Sequence, residues 1–178
     1  MRNRRDQLHV EGRDFTIIRY LGEGKDCLFY QVSDGKDLYF MKEYVSGKEE
    51  AFTSYEESIK AYELLKELGI MIPKLIVADA ESGIQIRECI DGENASSLIL
   101  NGSLEPLYLD QLRMMAEKAE KAGYCLDYFP TGFAVKDHKL YYLRYICKPY
   151  EEKECFDQLV GKYWLNRAGL YNSLRDKR

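Results

Sequence analysis

Apolar and polar side chains alternate along residues 15–20, 27–33 and 38–44, and turn-forming stretches at 22–26 and 34–36 separate these three runs. The pattern predicts three antiparallel strands, with Asp34-Gly35 as a hairpin signal between the second and third. From 48 to 68 the period lengthens. Phe52, Tyr55, Ile59, Tyr62, Leu65 and Leu68 recur three or four apart, as on one face of a helix, and Gly69 ends it. Residues 72–78, entered through Pro73, read as a strand, with 83–90 as its partner across a turn at 79–82.

Asp91-Gly92-Glu93-Asn94 then interrupts the regular pattern and divides the chain into lobes at 1–91 and 92–178, expected to form one compact two-lobe unit. The second lobe reads as a short helix at 95–100 and an amphipathic helix at 107–122, with Leu109, Leu112, Met115, Ala116 and Ala119 inward. Strands at 132–135 and 140–144 follow, joined as a hairpin at 136–139. Residues 152–170 read as a closing helix with Phe156, Leu159, Val160, Tyr163 and Trp164 on one face. The fold class is α+β: a five-stranded antiparallel N-lobe with one helix, and a minimal, mostly helical C-lobe.

Composition narrows the partners. With 178 residues, 46% hydrophobic and 31% charged, the chain can bury a full core. A net charge of −4 supplies no global basic field for nucleic acid and leaves room only for a local basic patch. No apolar run is long enough to span a membrane. Membrane and nucleic acid are therefore not expected as partners, and a protein partner stays open. Cys27, Cys89, Cys125, Cys147 and Cys155 are odd in number, scattered and without a Cys-x-x-Cys pair, which suits reduced packing thiols in a cytoplasm. His9 and His138 stand apart from any metal-ligand spacing and read as surface residues.

The serial order of elements resembles the protein-kinase-like superfamily, most closely its small RIO-type and aminoglycoside-phosphotransferase-like kinases, over roughly residues 15–164. Lys66-Glu67-Leu68-Gly69-Ile70-Met71-Ile72-Pro73 is similar to the helix-to-strand junction of such kinases, and Ile86-Arg87-Glu88-Cys89-Ile90-Asp91-Gly92-Glu93 to their hinge. The resemblance implies that Gly22 and Gly24 form a turn whose backbone approaches phosphates. Lys42 would add a point charge to those phosphates, and Glu88 and Ile90 would offer backbone groups to an adenine, so ATP or ADP is the implied cofactor.

The resemblance also shows what the chain lacks. Asp127, in Cys125-Leu126-Asp127-Tyr128-Phe129-Pro130-Thr131-Gly132, matches the catalytic base, but Gly132 stands where a metal-binding asparagine belongs. Arg144 stands where the second metal ligand belongs, and a fixed guanidinium repels Mg²⁺. Mg²⁺ is accordingly not expected. Counting back from Gly69 places Ser58 where a glutamate would pair with Lys42, with Glu57 an alternative in another register. Cys27 replaces the third glycine of the turn, and Asp26 adds negative charge there. Few residues follow Arg144, which disfavours recognition of a protein substrate in the manner of large kinases.

Simpler readings stand beside these. Lys42 also reads as a solvated strand lysine, and Asp127 as a turn residue bonding its own loop. Arg144 reads either as a salt-bridge partner of Asp127 or as a direct phosphate ligand. Two functions follow: a degenerate, regulatory or interaction pseudokinase with weak or absent nucleotide binding, or an active small ATP-dependent phosphotransferase with Asp127 as base.

Overall fold

The structure is a computed structural model that describes residues 7–45 and 49–176, with the side chain of Glu49 left aside. The basic opening of the sequence and Lys48, expected at a helix start, lie outside the described residues. The fold is α+β, and its contacts divide into two units. The first comprises the described residues up to Lys60 together with Pro73–Cys89; the second is Ala61–Ile72 with Ile90 onward. By these contacts residues 61–72 group with the second unit.

The first unit is a six-stranded antiparallel sheet of β1 (Gln7–Val10), β2 (Arg13–Glu23), β3 (Cys27–Ser33), β4 (Leu38–Tyr44), β5 (Leu75–Asp79) and β6 (Ile84–Glu88), in the order β1-β2-β3-β4-β6-β5. Five strands were expected. The sixth, β1, hairpins onto β2 through Glu11 and Gly12, whose φ values of 48° and 73° are those of a two-residue turn that follows strand twist. At the β3–β4 turn, Asp34 Oδ1 accepts the Lys36 and Asp37 N–H groups at 3.0 and 2.9 Å. These bonds hold the Asp34 carboxyl below its ordinary range. One sheet face carries the apolar core of Val10, Phe15, Val32, Met41, Val77, Ile84 and Ile86. Their alternation with polar positions fixes the register, because a one-residue slip would turn every one of them outward.

Helix α1 (Glu49–Glu67) sets Ala51, Tyr55 and Ser58 inward in the first unit, and Ala61, Tyr62 and Leu65 inward in the second. Phe52, expected on that stripe, is 54% exposed. It follows Ala51 directly, and a single helical step of about 100° turns it off the buried face.

The second unit contains β7 (Glu93–Asn94), α2 (Ala95–Asn101), α3 (Pro106–Lys121), β8 (Tyr124–Leu126), β9 (Phe133–Lys136), β10 (Lys139–Tyr142), β11 (Cys147–Pro149), α4 (Phe156–Leu159) and α5 (Arg167–Arg175). Asn94 caps α2, accepting the Ser96 N–H at 3.0 Å, and Pro106 opens α3 where no N–H is needed. The expected hairpin forms as β9–β10, turning through Asp137 and His138, both with positive φ. Gln111 on α3 braces it, donating to the His138 carbonyl at 2.9 Å and accepting the Leu140 N–H at 2.7 Å. The paired strands β8 and β11 were not anticipated; each is three residues long and carries no alternation to read.

The expected helix over 152–170 is broken into a 3₁₀ turn (Glu152–Glu154), α4, a π-helical turn (Val160–Trp164) and α5, which Asn166 caps. The wider turn accompanies Trp164, whose buried indole N–H reaches the Tyr128 carbonyl at 2.7 Å. Leu112, Ala119, Tyr128, Phe133, Leu140, Tyr142 and Trp164 lie at the centre of this unit's core.

Candidate functional site

Each unit holds one group of the residues singled out in the sequence. In the second unit the group forms at the end of β8. The Asp127 N–H donates to the Tyr142 hydroxyl at 3.1 Å, and that hydroxyl donates to the Ile146 carbonyl at 3.0 Å. Tyr142 is fully buried, and desolvation raises its phenol far above the ordinary tyrosine range, so it stays a neutral donor. Just beyond β10, the Leu143 N–H bonds the Gly132 carbonyl at 2.8 Å, laying this segment alongside the 3₁₀ turn Pro130–Gly132. Arg144 is thereby delivered onto Gly132.

The Arg144 guanidinium makes a salt bridge from Nη1 to Asp127 Oδ2, and donates from Nη2 to Thr131 Oγ1 at 3.0 Å. The other Asp127 oxygen accepts the Phe129 N–H at 3.2 Å. Both carboxylate oxygens are thus engaged, one locally as in an Asx turn and one by a cation. A Cβ at Gly132 would lie 3.0 Å from Arg144 Nε and 3.2 Å from Cδ, so the arginine stem occupies the space a side chain at 132 needs. The salt-bridge reading of Arg144 is the one realised. Asn94 ties the turn to the rest of the unit, donating from Nδ2 to the Thr131 carbonyl at 3.2 Å while capping α2.

In the first unit, Lys42 on β4 pairs in register with Phe29 on β3 and Gln85 on β6. Its ammonium lies 4.2 Å from the centre of the Tyr44 ring, and it forms no ion pair with a carboxylate among the described residues. Ser58 is the inward residue of α1, and its hydroxyl donates to Gln85 Oε1 at 3.2 Å; Glu57 is exposed. Gln85 in turn donates to the Tyr55 carbonyl at 3.4 Å. A neutral serine–glutamine pair therefore stands beside Lys42. Tyr55 is lifted to about 12, mainly by burial. The hydroxyl of Tyr44 is buried without a hydrogen-bond partner.

The glycine turn is tighter than its sequence suggests. Gly22 lies within β2, at φ 141°, paired with Phe29, so the turn itself is Gly24-Lys25-Asp26. The Gly24 N–H bonds the Cys27 carbonyl at 2.8 Å, and a Cβ there would meet Cys27 Sγ at 2.9 Å. Glycine is needed for this close approach, and its N–H is already used. Glu88 ends β6, with its N–H on the Lys74 carbonyl at 2.9 Å and its carboxylate accepting the Lys74 N–H at 3.3 Å. The Ile90 carbonyl accepts the Gly92 N–H at 3.0 Å. Among the described residues, no three His, Cys, Asp or Glu side chains are grouped as a metal site, and no helix is long and apolar enough to cross a membrane.

Thr131, Asn94 and Gln85 were missed in the sequence. Each acts through hydrogen bonds made across 13 to 37 residues, a separation that leaves no local pattern. The chain matches no protein-family model and no curated protein.

Proposed function

We propose that the chain is a non-catalytic member of the protein-kinase-like superfamily, a pseudokinase that works by regulation or interaction. The observation that carries this reading is the seat of Arg144: bonded to Asp127 and Thr131, with its stem across Gly132. Phosphoryl transfer is mainly positioning and neutralisation of charge by metal ions, and a base must be free to accept the hydroxyl proton. In this chain a tethered cation takes the place of a diffusible one and holds the candidate base. Among the described residues Lys42 forms no ion pair with a carboxylate, which agrees with that reading, since in an active kinase such a pair would hold the ammonium toward phosphates. Any nucleotide is then held weakly and without Mg²⁺.

The test is release of γ-phosphate from ATP with Mg²⁺, measured for the wild-type chain and for Asp127→Ala. Both are expected at the buffer background. Turnover in the wild type that Asp127→Ala abolishes overturns the proposal in favour of a small phosphotransferase.

A further inference from the structure

The exposed side of α5 combines positive charge with apolar side chains. Residues 162–175 hold Lys162, Arg167 and Arg175 and no Asp or Glu, in a chain whose net charge is −4. On α5, Arg167, Tyr171 and Arg175 recur every fourth residue, and at about 100° per residue they fall within about 80° of one another. Ala168 and Asn172 widen this exposed side, while Leu170 and Leu174 turn to the core. Leu165, just before the helix, is 66% exposed and Tyr171 59%; among the described residues no large hydrophobic side chain is more exposed than Leu165.

The neighbours of α5 do little to answer these cations. The helix packs on α2 and on the π-helical turn, and neither Ala95–Asn101 nor Val160–Trp164 contains an acid. Arg167 makes no ion pair among the described residues. Arg175 is paired with Asp176 at 3.6 Å, but both side chains are largely exposed, so water screens the pair and leaves the guanidinium open to a second anion.

We propose that this side of α5 docks on an anionic lipid surface, with Arg167 and Arg175 on the headgroups and Leu165 and Tyr171 in the layer beneath them. A helix with cations and apolar residues on its outer side lies in the plane of such an interface, where tyrosine sets its ring in the apolar part and its hydroxyl in water. Lying on a bilayer needs no spanning helix, so the lack of a long apolar run does not bear on it. Nucleic acid answers the arginines but offers an aliphatic Leu165 nothing to stack on. A protein partner would have to bring both acids and a groove, since the side of α5 is convex; an anionic bilayer presents charge and apolar depth everywhere on its surface. The inference stands on α5 alone and does not depend on the kinase-like reading.

The experiment is co-sedimentation of the full chain with vesicles of phosphatidylcholine containing about one-third phosphatidylserine, against vesicles of phosphatidylcholine alone, at low and high salt. Binding is expected to the anionic vesicles only, and to weaken as salt rises. Arg167→Gln and Arg175→Gln should each weaken it about fivefold. Leu165→Ser should weaken it about tenfold at either salt concentration, and Tyr171→Ser in the same direction. All four side chains are exposed, so these variants keep the core. Lys36→Gln removes the same charge from the exposed β3–β4 turn and should change nothing. Four results overturn the proposal: no binding to anionic vesicles, equal binding to neutral ones, a loss with Lys36→Gln as large as with Arg167→Gln, or indifference to both Leu165→Ser and Tyr171→Ser. The last would assign the face to a polyanion such as an acidic peptide or nucleic acid. Self-association of the chain without vesicle binding would overturn it in favour of a second copy.

Discussion

Arg144 lies across Gly132, with its guanidinium on Asp127 and Thr131 and its stem where a side chain at 132 would stand. The two positions are coupled by volume as well as by charge. Gly132 has no left-handed φ, so only space forbids a larger residue there.

Gly132→Ala is expected to cost about 1 kcal/mol or more, by pushing the arginine off its partners. Arg144→Ala should cost about 1–3 kcal/mol, because the half-buried Asp127 carboxylate keeps only the Phe129 N–H. The double variant should cost less than the sum, and chemical denaturation of all four proteins measures that coupling. Additive losses would mean that Arg144 does not fill the space at 132.

On the proposed kinase-like reading, installing metal ligands requires both changes together. Gly132→Asn alone collides with the Arg144 stem and should only destabilise. Gly132→Asn with Arg144→Asp removes the stem and the cation and sets an amide and a second carboxylate near Asp127. Calorimetry should then detect Mg²⁺ uptake that neither single variant shows.

In the first unit, Ser58→Ala strips Gln85 Oε1 of its donor and should cost about 1–2 kcal/mol, since a buried acceptor is left unmatched. Tyr44→Phe goes the other way. Its buried hydroxyl has no partner to lose, so stability should hold or rise by up to about 1 kcal/mol. Thermal unfolding of the two variants should therefore move in opposite directions, or leave only Ser58→Ala shifted.

Cys147 on β11 carries a thiol that burial pushes up to about 11. A group raised in the folded state contributes stability that is full below its unfolded value near 9 and is lost as pH climbs to about 11. The stability advantage of the wild type over Cys147→Ala should shrink across that window and stay flat from pH 6 to 8. Alkylation of Cys147 in the native protein should follow the same rise.

Much of this was legible in the residue pattern. The alternation across residues 15–44 and the three-and-four spacing of Tyr55, Ile59, Tyr62 and Leu65 locate β2, β3, β4 and α1, because a strand or helix with one buried face must repeat at its own period. Asp127 and Arg144 were singled out by the positions the kinase resemblance gave them, and their union was one of the two readings open for Arg144. The tail around Trp164 was not legible, since the indole's distant partner, the Tyr128 carbonyl, decides where the helix breaks. The grouping of Phe29, Phe40 and Arg87 was equally hidden. Their common face depends on how β3, β4 and β6 pair, and β6 joins β4 from more than forty residues away, a separation that leaves no local pattern.

The central claim is that a tethered arginine has replaced a diffusible metal. A thermal-shift titration with ATP and ADP, each with and without Mg²⁺, tests it most directly, because any ligand that prefers the native state raises the melting temperature by mass action. The account predicts that Mg²⁺ changes nothing: any shift with nucleotide alone is matched when the metal is added. A shift that appears only with Mg²⁺ would contradict it, for the site that Arg144 fills would then be taking a metal after all.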